Sequence, residues 1–384
     1  MRKDYIDWLR NLAILYLIPY HTARVFDGLN DFYIKGEPNA VADVVVSASY
    51  WFMPLLFLLS GVSSRHALQK RTAGAYARER FARLLVPFLF GCLLIVPPQA
   101  YYAMRFHLGY QGDYLDFLVK YFTDFSDWSE YAGGISPAHL WFILFLFVIS
   151  LALLPLMTRL GRHDRLPRPL RGAGLVLVPS LALAALALLP DLSGKNIFVY
   201  AAYVLLGFIL AADDALDRVE HVRRVSLVVA LIGAAGIAVE LAVLGPDSGP
   251  LAAAWRAAAT WAAVLAMLGY GKRYLNVRSK FTAYFNPAAF PVYIVHQTIL
   301  VAVGFYVVGV IDHGAIPFAL IAVGTFVLSF GAYELLRRTG PTRFMFGLKS
   351  TRSAAMPLPS RGRSAAVPRS VSQGRVRLWS SRER

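Results

Sequence analysis

The chain is short of cysteine and of acids. Cys92 is its single cysteine and lies in an apolar run, so no disulfide framework can form within the chain. Asp and Glu number 23 against 39 Lys and Arg, a formal charge of +16. An excess of that size can signal nucleic acid, but here the basic residues concentrate in alternate loops between apolar runs. That is the positive-inside pattern of a membrane protein, and no nucleic-acid partner is expected. The sequence also lacks an internal repeat, a Gly-rich phosphate loop and paired cysteines at metal-ligand spacing. No small-residue cleavage site follows the first apolar run, which excludes a cleaved signal peptide.

What is abundant is apolar length. Hydrophobic residues make up 57% of the 384 and mean hydropathy is +0.51. Ten runs approach the roughly 20 residues that a helix needs to cross a bilayer. They cover 8–27, 41–63, 82–104, 138–158, 172–190, 196–213, 224–244, 252–271, 287–309 and 315–336. The loops 64–81, 159–171, 214–223 and 272–286, with the tail, carry most of the Lys and Arg; the alternate loops hold only Lys35, Arg105, Lys120 and Lys195. The expected fold is therefore an all-α polytopic integral membrane protein of about ten transmembrane helices, with both termini cytoplasmic. Its partner is the lipid bilayer. Residues 1–337 form the membrane domain. Residues 338–384, rich in Arg, Ser, Pro and Gly, read as a basic, disordered cytoplasmic tail drawn to anionic headgroups.

One long outer loop, 105–137, contains an amphipathic helix at 113–125 and a dense set of aromatics that includes Tyr110, Tyr114, Phe117, Tyr121, Trp128 and Tyr131. These read either as an interfacial belt or as a stacking platform beside a binding mouth.

Ionisable residues inside spans mark protein interiors or wet cavities. The first run carries Asp7, Arg10 and His21. Asp7 and Arg10 are at i, i+3 and can pair. Arg10 and His21 are eleven residues apart, which returns almost to the same helix face roughly 16 Å farther along. The plain alternative is an anchor whose arginine snorkels to the headgroups. The second run ends Phe57-Leu-Leu-Ser-Gly61, small residues that permit close helix packing. Arg80 and Arg83 stand one turn apart at the cytoplasmic entry of the third run. They set topology, or they suit a phosphate-rich cytosolic ligand. His139 opens the fourth run, and His296 and Gln297 lie deep in the ninth. Glu240 and Glu334 fall in the seventh and tenth, the latter at i, i+4 from Arg338. The three span histidines come from separate helices without a ligand motif, so no metal is expected. A proton relay is a more serious use of such groups.

Five pieces in order, Asp7-Trp-Leu-Arg10 with His21, Phe57-Leu-Leu-Ser-Gly61, Arg80-Phe-Ala-Arg83 before Pro87, His139-Leu-Trp-Phe142 and Val292-Tyr-Ile-Val-His296, resemble the membrane acyltransferase 3 family of integral-membrane O-acyltransferases. The resemblance spans about residues 4–348. Pro19-Tyr20-His21, Ile95-Val-Pro-Pro-Gln99, Tyr333-Glu334 and Phe344-Met-Phe-Gly347 look closest to the glucan biosynthesis protein C branch, which is associated with succinylation of periplasmic glucans.

The resemblance implies transfer of an acyl group of the acetyl or succinyl class. The donor is cytosolic acyl-CoA as co-substrate, and the acceptor is a hydroxyl of an envelope or periplasmic carbohydrate. The location is a bacterial-type inner membrane. On that reading Arg10, Arg80 and Arg83 hold the donor's phosphates and His21 is the general base. His296, His139 or Tyr293 orients the acceptor or stabilises the oxyanion, and the sequence does not choose among them. Cys92 has no charged neighbour to activate it, which disfavours a cysteine acyl-enzyme. One departure is Asn286-Pro-Ala-Ala-Phe-Pro291, where relatives tend to have a small hydroxyl or amide residue shortly before Tyr-x-x-His. No esterase-like domain is appended, so direct transfer is expected. The rivals from other classes are a proton-coupled exporter of glycans or small acids and a scaffold of an envelope-polysaccharide complex.

Overall fold

The computed structural model describes residues 4–124, 131, 134–163, 166–212, 215–244, 249–311 and 313–348. Among these there is no β-strand, only an isolated bridge between Leu192 and Lys195. The helices are α1 (Asp4–Phe26), α2 (Ala40–Ser47), α3 (Phe52–Leu68), α4 (Ala73–Leu108), α5 (Tyr114–Thr123), α6 (Trp141–Ala152), α7 (Leu154–Leu160), α8 (Gly174–Leu186), α9 (Ile197–Leu210), α10 (Ala215–Leu244), α11 (Gly249–Tyr274), α12 (Lys280–Val308), α13 (Ala315–Leu336) and α14 (Gly340–Met345).

Each of the ten apolar runs falls on a helix or a helix pair. By length and apolarity, six spans among the described residues are able to cross a membrane, seven if the bent pair α6–α7 counts as one. The polar residues of α1 and the 13- and 14-residue lengths of α8 and α9 explain the difference from ten. Many leucines, valines and phenylalanines on α4, α10 and α13 are exposed, among them Leu94, Leu231 and Phe326. So much bare apolar surface suits lipid rather than water.

Local chemistry sets the helix ends. Asn39, Thr72, Asp113, Asn196 and Ser279 each accept a backbone N–H in the first turn of α2, α4, α5, α9 and α12. Gly109, in the left-handed region, stops α4. The α4 helix widens into π-turns at Phe81–Leu85 and Gly91–Ile95, just before Pro87 and the Pro97–Pro98 pair, which lack the N–H of a regular ladder. Thr298 of α12 donates its hydroxyl to the Ile95 carbonyl at 2.6 Å, satisfying one disturbed acceptor.

The α1 helix is central, packed against α12, α11, α13, α2 and α3. Asn11 Nδ2 donates to Asn286 Oδ1 at 2.9 Å, and ten residues farther on each helix His21 Nδ1 lies 3.0 Å from His296 Nε2. The two helices therefore run parallel and in register. Nearby, α3 and α9 cross at glycines. A methyl on Gly61 would lie 1.9 Å from the Val204 carbonyl oxygen, and one on Gly207 would lie 1.9 Å from that of Leu58. Gly61 is thus required for packing, and the same helix presents Ser60 and Ser63 to a cavity.

Two expectations change. Glu334 pairs with Arg337 at 3.3 Å rather than with Arg338, and it accepts from Tyr284 Oη at 2.7 Å. The stretch read as a tail from residue 338 begins with the ordered helix α14; its remainder, 349–384, lies outside the described residues. In the long loop 105–137, α5 matches the amphipathic prediction. Phe117 and Tyr121 are buried, and Phe117 packs against Tyr101, Tyr110 and Tyr114. Trp128 lies outside the described residues.

Candidate active site

The predicted residues gather in two cavities that share α1 and α12. Arg10, Arg80 and Arg83 line the first, of about 790 Å³, together with Ser60, Ser63 and Asn286. Arg10 pairs with Asp7, whose other oxygen accepts from Asn286 Nδ2 at 3.3 Å. Asn286 of α12 thus bridges to Asp7 and Asn11 of α1. Glu79 holds Arg83 at 3.4 Å and also pairs with Arg71. The Arg80 guanidinium lies 4.5 Å from the Tyr76 ring centroid, and its buried Nε has no hydrogen-bond partner among the described residues. Arg337 and Arg343 line the same cavity. Nothing in local spacing pointed to them, because they lie far along the chain from Arg10, Arg80 and Arg83.

The second cavity, of about 510 Å³, is lined by His21, His139, Tyr293 and Gln297, with Tyr20, Phe32, Tyr131, Trp141 and Tyr200 among its aromatic walls. Among the described residues no carboxylate lines it, and the cations in its wall are Arg24 and Lys195. His296 sits behind His21 and is 1% exposed. The hydrogen bonds fix tautomers. His296 Nδ1 is 2.7 Å from the Tyr293 carbonyl, which can only accept, so Nδ1 carries the proton. In a neutral pair His296 Nε2 then accepts from His21 Nδ1, and the free lone pair of His21 is on Nε2.

His139 and Tyr293 are already engaged. His139 Nε2 donates to the Ile294 carbonyl at 2.8 Å, and the Tyr293 hydroxyl donates to the His139 carbonyl. Both protons that an oxyanion would use thus tie the start of α6 to α12. Gln297, 3% exposed on the cavity wall, is the amide that the candidate set omitted, although its place beside His296 was visible in the sequence.

The C-terminal end of α1 is pinned by Asp27, fully buried and paired with Arg24 at 3.1 Å and Lys35 at 3.4 Å. Burial pushes the Lys35 ammonium below its ordinary range, and the Asp27 carboxylate opposes that shift. Tyr131 donates to the Asp31 carbonyl at 3.1 Å, so part of the long loop reaches the cavity wall. Glu240 is remote from both cavities in its contacts, held by Arg256 at 3.3 Å.

Comparison with protein-family models matches residues 3–334 to the acyltransferase 3 model, described as an acyltransferase domain. Comparisons with curated proteins and with solved structures gave no match.

Proposed function

Because the chain belongs to the acyltransferase 3 family and is therefore a multi-pass membrane O-acyltransferase, we propose that it moves an acyl group from cytosolic acyl-CoA to a hydroxyl of an envelope or periplasmic carbohydrate. Family membership favours this over an exporter or a scaffold. The observation that carries the reading is the pair of cavities joined by α1 and α12, arginines in one and the His21–His296 pair in the other. Ten spans with both termini cytoplasmic would put the arginine cavity at the inner face, as the loop charges suggest. The membrane is then a bacterial-type inner membrane. Pro19-Tyr20-His21 and Phe344-Met-Phe-Gly347 support placement near the glucan biosynthesis protein C branch, with an acetyl or succinyl class of acyl group.

In this reading Arg10, Arg80 and Arg83 hold the phosphates by charge-assisted hydrogen bonds. The pantetheine arm then lies along the α1–α12 seam toward His21. His21 Nε2 takes the acceptor's hydroxyl proton as the oxygen attacks the thioester carbonyl. The tetrahedral intermediate collapses, the C–S bond breaks, and the proton passes to the leaving thiolate. The products are an ester and free coenzyme A. His296 orients His21 and supports the transient imidazolium. His139 and Tyr293 shape the acceptor wall, and Gln297 offers an amide N–H to the developing oxyanion. Aromatic faces around the second cavity suit a sugar ring.

The test is purified protein supplied with acyl-CoA and a glycan acceptor. Stoichiometric release of coenzyme A thiol with a mass increase of one acyl group on the glycan is the expected result. Envelope glycans of unchanged mass in a deletion strain, together with no thiol release in vitro, would overturn the assignment.

A further inference from the structure

The motif Phe344-Met-Phe-Gly347 has no role in the mechanism above. It belongs to a segment that turns back under the bundle after the last long helix. Thr342 Oγ1 donates to the Leu336 carbonyl at 2.6 Å, and Arg343 Nη1 donates to the Arg337 carbonyl at 3.0 Å. Gly347 has φ 66°, where side chains are strained, and a methyl there would lie 3.0 Å from the Phe290 ring and 3.3 Å from Pro87. Leu348 packs with the cluster of Ala288, Val292 and Tyr333. The result is that Arg343, Gly347 and Leu348 stand in the wall of the arginine cavity.

With this segment the lining contains, among the described residues, five guanidiniums, of Arg10, Arg80, Arg83, Arg337 and Arg343, against the one carboxylate of Glu79. One phosphate is satisfied by one or two such groups. Five, one of them with a buried Nε that has no hydrogen-bond partner among the described residues, suit a ligand bearing several phosphates.

We propose that residues 339–348 are part of the donor site, with Arg343 binding a phosphate of a nucleotide-bearing acyl thioester and Gly347 seating the segment against α4 and α12. This rests on the donor reading above and adds to it a binding element outside the long helices. Arg337, tied to Glu334, contributes charge and the carbonyl that aims Arg343.

The test uses the full chain in detergent or nanodiscs, with coenzyme A and pantetheine as probes. Arg343→Gln should weaken coenzyme A binding about 10–100-fold, the worth of a hydrogen bond to a charged group, and should lower the preference for coenzyme A over pantetheine by a similar factor. Arg343→Lys should recover part of that loss. Gly347→Ala keeps every charge yet should weaken coenzyme A binding in the same direction. A chain ending at Leu348 should bind like the whole protein. Wild-type binding that neither Arg343→Gln nor Gly347→Ala alters, in protein that elutes as a single folded species, overturns the inference alone. A wild-type chain that binds no coenzyme A overturns the donor reading and this inference with it.

Discussion

The two cavities on either stretch of the α1–α12 seam are made differently. The arginine cavity collects guanidiniums from α1, α4, α13 and α14, several of them held by acids, so that charge is plentiful and distributed. The histidine cavity has aromatic walls and, among the described residues, no lining carboxylate, and its polar atoms are fixed by a short chain of hydrogen bonds. The first arrangement resembles a clamp in which each contact contributes a share of the affinity. The second depends on single atoms. Mutations should therefore act on affinity in one place and on turnover in the other.

The largest effect should come from His21→Ala. It removes the free Nε2 and should lower turnover about 10²–10⁴-fold, the usual range for general-base work. Coenzyme A binding should stay near wild type, measured by titration on the same preparation. Retention of more than about a tenth of wild-type turnover would mean that this 10²–10⁴-fold contribution comes from elsewhere.

Arg80→Ala or Arg83→Ala should act in the opposite sense. Donor KM should rise about 10–100-fold through loss of a charge-assisted contact, with a smaller change in kcat. The rise should shrink for an acyl-pantetheine donor. Arg80 is the sharper case, because Arg83 is already held by Glu79. Equal losses with both donors would assign these arginines to folding or topology.

His296→Ala tests the link between the regions. It removes the acceptor that holds His21 Nδ1, so kcat should fall about tenfold, the worth of one orienting hydrogen bond. Donor KM should not move. A fall as deep as that of His21→Ala would make His296 the base instead. Gly61→Ala should touch neither parameter per folded molecule. It should lower thermal stability by about 1–3 kcal/mol as an overpacking change, read as a reduced melting temperature.

Much of this contrast was legible in the sequence because its parts are local. The eleven-residue spacing of Arg10 and His21 on one helix already separated a charged end from a deep imidazole. The one-turn spacing of Arg80 and Arg83 put both on one face, and both indeed line the cavity with Arg10. What stayed hidden depends on pairings between distant segments. His21 and His296 are 275 residues apart, as are Asn11 and Asn286, and no periodicity reports which helices lie side by side. The engagement of His139 and Tyr293 with backbone carbonyls was hidden for the same reason. Gly61 read as a packing residue, but its partner Gly207 could be found only from the crossing. The helix α14 was hidden because 338–384 taken as a whole reads as one basic stretch rich in Arg, Ser, Pro and Gly. There α14 is held by hydrogen bonds to the end of α13 and by Leu348 packing on the bundle.

The central claim is that donor and acceptor enter from opposite faces and meet at His21. Sealed proteoliposomes with protein of known orientation test it directly. Acyl-CoA is supplied on one face and a membrane-impermeant glycan on the other, and acylated glycan is measured by mass spectrometry. The account predicts product only when acyl-CoA is on the face bearing Arg80 and the glycan is on the face bearing Tyr131. Comparable product with both substrates confined to one face would contradict it.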